Sequence, residues 1–206
     1  MSDFDQAAMQ AGPTGEFPNP EPKRIKVFGV MHIVFGALGF LHVLWGLVSV
    51  LFPGIQESMM KLSSAGVPEG MYELQMGLVE KLAPYTWISL LLTVVVAGLI
   101  MRAGIGLVKQ KRGAVGASNL YAWVSLATKL VMLLLFFAVV QPAYDALFEG
   151  MIDSTAPQAK AMLSVMRIFT AATGVLGPVL MSIYPILALV ILNKPVVKNY
   201  FSGLGR

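Results

Sequence analysis

The chain has 206 residues, 56% of them hydrophobic and only 13% charged, and its mean hydropathy is +0.72. Soluble domains are about one quarter charged, so this composition excludes a water-soluble globular protein and points to a membrane protein. The formal net charge is +4 and there is no cysteine, which excludes disulfides, zinc–cysteine sites, iron–sulfur clusters and lipidation on Cys.

In chain order, residues 1–22 are rich in Pro, Gly and acidic side chains and contain no cation before Lys23. Such a segment buries too little apolar surface to fold alone and is expected to be a disordered cytoplasmic tail. A transmembrane domain is predicted over 23–193 and a second cytoplasmic tail over 194–206. Four apolar runs, at about 28–52, 85–108, 118–140 and 169–192, each meet the ~20 residues that a helix needs to cross ~30 Å of hydrocarbon. They are too long and too continuously apolar for barrel strands. The first run follows Lys23-Arg24-Ile25-Lys26 as a secretory signal would. It exceeds the ~7–15 residues of a signal's apolar region, however, and no small-x-small cleavage site follows Phe52, so it reads as a retained span. The expected fold class is all-α: a four-helix transmembrane bundle, up-down-up-down, with amphipathic helices in the outer loops.

Charge orients this bundle. Lys23, Arg24 and Lys26 precede the first run, Lys109, Lys111 and Arg112 lie between the second and third, and Lys194, Lys198 and Arg206 follow the fourth. The opposite connections carry Lys61, Lys81, Lys160 and Arg167 among Glu57, Glu69, Glu73, Glu80, Asp145, Glu149 and Asp153. The positive-inside rule therefore predicts cytoplasmic N and C termini. Gly113 and Gly116 would let the short basic connection reverse. No glycine-rich phosphate motif accompanies these cations, so they predict contact with the lipid bilayer and not with nucleic acid.

In the first outer connection Met71, Leu74, Leu78 and Leu82 recur at helical spacing and predict an amphipathic helix lying on the membrane or capping the bundle. In the second, Thr155 and Pro157 mark a helix start that runs into the fourth span and carries it beyond the lipid. Met59, Met60, Met71, Met76, Met151, Met162 and Met166 are concentrated in these connections. Without Cys or His beside them they read as adaptable packing and partner-binding side chains, and no metal site is predicted.

Small and polar residues form stripes inside the spans: His32, Gly36, Gly39 and Gly46; Thr86, Ser89, Thr93 and Ala97; Ser118, Ala122, Ser125 and Lys129; Thr170, Gly174, Gly177, Pro185 and Ala188. Such stripes let helices approach closely in lipid. Lys129 stands out, because it lies ~15 Å beyond Asn119 at 1.5 Å per residue, near the middle of the hydrocarbon. No Asp or Glu lies in the predicted runs to pair with it. Intramembrane lysines mark functional sites by default, while donation to Ser125, a helix carbonyl or the neutral ring of His42 would satisfy the ammonium as a purely structural group; the candidate functional cluster is Lys129, Ser125, His42 and Thr93. His32 and His42 are about 80° from sharing a helical face, which argues against haem and for packing or interhelical hydrogen bonding. No catalytic residues and no cofactor are predicted.

The segments GIGLVKQKRGAVGASNLYAW and YPILALVILNKPVVKNYF resemble a family of four-span bacterial inner-membrane proteins of uncharacterised activity, through Gly104, Gly106, Tyr184, Pro185, Asn193, Lys194, Pro195, Lys198 and Phe201. The resemblance implies four helices in a bacterial cytoplasmic membrane and carries no activity. Nucleophile, zinc and nucleotide motifs are absent, and the cytoplasmic connections are too short for a catalytic domain. The expected function is therefore that of a non-enzymatic accessory, scaffold or regulatory protein binding another membrane protein or a second copy. The alternative is a small-solute or ion carrier using a polar path at Lys129.

Overall fold

The computed structural model describes residues 23–52, 54–55, 58, 69–153 and 157–203. The predicted tail 1–22, Met59, Met60 and Thr155 lie outside them. The described chain is all-helical, and four stretches are long and apolar enough to cross a membrane: Ile25–Leu51, Glu73–Val108, Ala114–Ile152 and Lys160–Leu192. Each contains one of the apolar runs, and the composition and helix lengths fit a multi-pass membrane protein. The elements are α1 (Lys23–Leu51), α2 (Glu69–Val108), α3 (Ala114–Leu135), a π-helical turn (Phe136–Val140), α4 (Gln141–Asp153), α5 (Pro157–Leu192) and α6 (Pro195–Gly203).

The helices overrun the apolar stretches. The segment with Leu74, Leu78 and Leu82 is not a separate helix but the first turns of α2, which has 40 residues and so reaches ~60 Å, twice the hydrocarbon thickness. Pro84 sits inside it, removing one backbone bond without ending the helix. The third span likewise continues into α4. Pro142 has no N–H, and in a regular helix its ring would meet the carbonyl of residue 138. Here the Gln141 N–H reaches back to the Phe136 carbonyl, and the wider turn accommodates the proline. The same turn seats Phe136 on Gly174, where any Cβ would overlap the aromatic ring. Pro157 begins α5, a helix of 36 residues that carries Pro178 and Pro185 internally.

α1 and α2 form the closest pair. Ile25, Gly29, His32, Gly36 and Val43 are buried along one face of α1, at spacings of three, four and seven. Gly29 lies against Leu107 and Val108, Gly36 against Ile100 and Met101, Gly39 against Ala97, and Gly46 against Leu90. Numbers rise along α1 as they fall along α2, and small residues bring the two backbones together where lipid supplies no hydrophobic drive. Most of the rest of α1 is an exposed apolar surface, including Leu38, Leu41, Leu44 and Trp45.

Three cores follow one another along the bundle. At the basic end Ile25, Leu107, Ala114, Ala188, Leu192, Val197 and Phe201 are packed together, so α6 closes that end. In the middle Ile100, Tyr121 and Ala122 pack with Tyr184 and Leu189. At the acidic end Phe148, Met151 and Leu163 form a core with Tyr144, Leu147 and Ile152, and Gly150 faces Leu74. An outer module is thus built from the projecting parts of α2, α4 and α5.

The basic turn departs from the glycine-based expectation. Gln110 has φ 51°, while Gly113 has φ −81°. The Lys111 N–H bonds the Gly106 carbonyl at 2.9 Å and the Gln110 N–H bonds Leu107 at 3.2 Å. This is a Schellman ending with glutamine in the left-handed position that glycine ordinarily takes.

Candidate functional site: a polar seam inside the bundle

The inner face of α3 is polar at helical spacing: Ser118, Tyr121 and Ser125 are buried with Ala122 between them, and Lys129 follows one turn later, half-buried. His32 of α1 meets this face between Gly29 and Gly36. α2 makes room for it with Gly104, where a Cβ would stand 2.8 Å from the His32 Cβ and 2.9 Å from the Gly29 carbonyl oxygen. α5 brings Tyr184 to the same point, one residue before the buried Pro185.

The His32 ring has no solvent exposure, and both of its nitrogens are matched. Nε2 lies 2.9 Å from Ser118 Oγ, and Tyr184 Oη lies 2.6 Å from Nδ1. A neutral imidazole offers one donor and one acceptor, and a hydroxyl can serve as either. The Tyr184 hydroxyl can donate to Nδ1 while Nε2–H donates to Ser118. Equally, Nδ1–H can donate to Tyr184 while the Ser118 hydroxyl donates to Nε2. In either arrangement both ring nitrogens are satisfied with the imidazole neutral. Rings enclose it: Tyr121 stands edge-on to His32 at 5.2 Å, Phe35 edge-on to Tyr184 at 4.6 Å, and Phe28 stacks on Tyr184 at 6.1 Å. Three helices are tied through one imidazole.

Toward the basic end a second polar lock joins α3 to the end of α5. Asn119 Nδ2 donates to Asn193 Oδ1 at 3.1 Å, and Asn193 Nδ2 donates to Asn119 Oδ1 at 2.8 Å and to the Leu189 carbonyl at 2.8 Å. Reciprocal amide pairs of this kind hold helices in lipid.

Of the candidate cluster, Lys129 and Ser125 come together: Lys129 Nζ donates to Ser125 Oγ at 2.6 Å. Thr93 instead gives its hydroxyl to the Ser89 carbonyl at 2.7 Å. His42 is exposed on α1. Neither bonds to Lys129, and the reason is rotational: ten residues after His32, the side chain at 42 has turned off the glycine-lined seam. Between the two histidines of α1, His32 is the residue of the site. Its signal lay in the flanking Gly29 and Gly36, which mark the face where another helix approaches. Arg102, exposed on α2 within the second apolar run, is a further cation that hydropathy does not single out. No three His, Asp or Glu side chains converge among the described residues.

No family model, no curated protein and no solved structure matches this chain. Its function has to be argued from its own residues.

Proposed function

We propose that this chain is a non-enzymatic integral protein of a bacterial inner membrane. In this reading it crosses four times, up-down-up-down with both termini cytoplasmic, and acts as an accessory, scaffold or regulatory protein for another membrane protein or a second copy. The carrying observation is the surface of the outer module: Met162, Val165, Met166 and Phe169 are 46–68% exposed on α5, while Leu163 among them turns into the core. These residues lie at or beyond the edge of the predicted fourth run, so lipid covers them incompletely. An adaptable, methionine-bearing apolar face suits a protein partner.

The test is purification of the tagged full-length protein from native membranes in mild detergent, with quantitative mass spectrometry. The parent should carry one membrane protein in stoichiometric amount, or a second copy of itself, and the double substitution Met162→Ser, Met166→Ser should release it. A parent that is monomeric and alone would overturn the reading. Orientation is tested separately in this cysteine-free chain. Gly113→Cys should resist an impermeant thiol reagent in intact cells while Ser64→Cys reacts, and the reverse pattern would invert the topology.

A small-solute or ion carrier is the second reading, and one observation favours it. Among the described residues Lys129 has one hydrogen-bond acceptor, Ser125, for three N–H donors. Lys129→Met removes the charge and keeps the stem volume. Under the accessory reading it leaves folding intact or improves it; under the carrier reading it abolishes transport without reducing the amount of protein in the membrane.

A further inference from the structure

On the exposed side of α2, near the basic end, a groove of about 590 Å³ is lined by Phe40 of α1, by Gly98, Arg102, Ile105 and Gly106 of α2, and by Lys111. A neighbouring recess of about 230 Å³ shares Arg102, Gly113 and Ala117 with it. The larger volume falls within the ~300–1,000 Å³ range of small-molecule sites. Glycine makes the groove: a Cβ at Gly98, Gly113 or Gly116 would meet no other atom within 4 Å, whereas one at Gly106 would press on Ala114.

Two cations mark the groove at different heights. Lys111 belongs to the basic turn, and Arg102 lies seven residues before Lys109, hence ~10 Å deeper at 1.5 Å per residue. Among the described residues no carboxylate pairs with either of them. An exposed guanidinium at that depth turns its head toward the headgroup layer while its stem stays in the apolar region. Its planar fork suits a phosphate bound through two oxygens. The walls below it, Phe40, Gly98 and Ile105, are apolar. A ligand that fits has a singly or doubly anionic phosphate joined to a hydrocarbon chain.

We propose that this groove binds one anionic phospholipid, with Arg102 and Lys111 holding the headgroup phosphate and an acyl chain lying along Phe40, Gly98 and Ile105. Basic recesses between spans at the cytoplasmic side recognise lipid headgroups by this chemistry. The inference rests on the chain spanning a membrane and is independent of any protein partner.

Native mass spectrometry of the purified full-length protein, titrated with dioleoyl-phosphatidylglycerol or dioleoyl-phosphatidylcholine, tests it. One phosphatidylglycerol should be retained in preference to phosphatidylcholine. Arg102→Gln and Lys111→Gln should each weaken that retention about fivefold, and Arg102→Lys should weaken it less than Arg102→Gln. Gly98→Leu fills the apolar part and should abolish retention while thermal stability stays at or above that of the parent, which separates loss of the site from loss of the fold. Free glycerol phosphate should not compete at equal concentration. Equal retention of the two lipids, undiminished retention in both Gln variants, or displacement by free glycerol phosphate would overturn the proposal.

Discussion

The basic and acidic halves of this molecule are held together by different physics. In the basic half, glycines at 29, 36 and 104 bring backbones into contact, one buried imidazole joins three helices, and a reciprocal amide pair ties α3 to the end of α5. In the acidic half, long helices project and pack through side chains such as Phe148, Met151 and Leu163. A partly buried ion pair, Arg167 to Asp145 at 2.7 Å, links α4 and α5 there, with Gln141 also donating to Asp145 at 3.2 Å. The first kind of packing has no slack, because a backbone carbonyl cannot step aside. The second can adjust, because side chains repack where a backbone cannot.

The sharpest way to break this contrast is to add one methyl group to each half. Gly104→Ala in the basic half should destabilise by about 1–3 kcal/mol, because the new Cβ meets a carbonyl oxygen and the His32 stem. Gly77→Ala in the outer part of α2, where a Cβ meets nothing within 4 Å, should be neutral or stabilising by up to ~1 kcal/mol through helix propensity. Unfolding in mixed micelles at increasing denaturing detergent measures both. Equal effects would erase the distinction between the halves.

The imidazole bridge comes next in size. His32→Phe leaves the hydroxyls of Ser118 and Tyr184 without their ring partner and should cost about 1–2 kcal/mol. In a double-mutant cycle with Tyr184→Phe, the coupling should lie near the ~0.6–1.7 kcal/mol measured for interhelical hydrogen bonds in membranes. Zero coupling would show that the 2.6 Å contact carries no energy.

Helix placement was legible from hydropathy, since every apolar run lies inside a helix, but helix ends were not. Hydropathy marks the part of a helix that lipid surrounds. The backbone pattern that extends α2 back to Glu69 and passes Pro84 continues where the surroundings become polar. Of the candidate cluster, the Lys129–Ser125 pair followed from their four-residue spacing, which places them on one face. His42 and Thr93 were grouped with them on polarity and depth alone, and a one-dimensional pattern does not fix which side of a helix faces its neighbours. Gly29 and Gly36 around His32 carried that rotational information. Arg102 lies inside the second apolar run, where a window-averaged hydropathy hides a single cation.

Two smaller effects sharpen the comparison. In the basic turn Gln110 occupies the left-handed region at φ 51°, so Gln110→Gly should stabilise by about 1 kcal/mol. A loss of stability would mean that the glutamine side chain contributes more than its backbone strain takes away. In the outer module Arg167→Ala should cost only about 0.2–1 kcal/mol, because the pair with Asp145 is partly open to water, and the effect should shrink as salt is added. Thermal unfolding of the detergent-solubilised protein at low and high ionic strength reads both.

The polar seam is a closed lock, while the outer module is the open surface on which the proposed partner would sit. Single cysteines at Ser125, nearly isosteric, and at exposed Met162 test it directly in this cysteine-free chain. With a water-soluble, membrane-impermeant thiol reagent acting on the folded protein, the cysteine at 162 should react rapidly, and the one at 125 should react only after denaturation. Modification at 125 in the folded state would show water reaching Lys129 along the seam and would contradict the account.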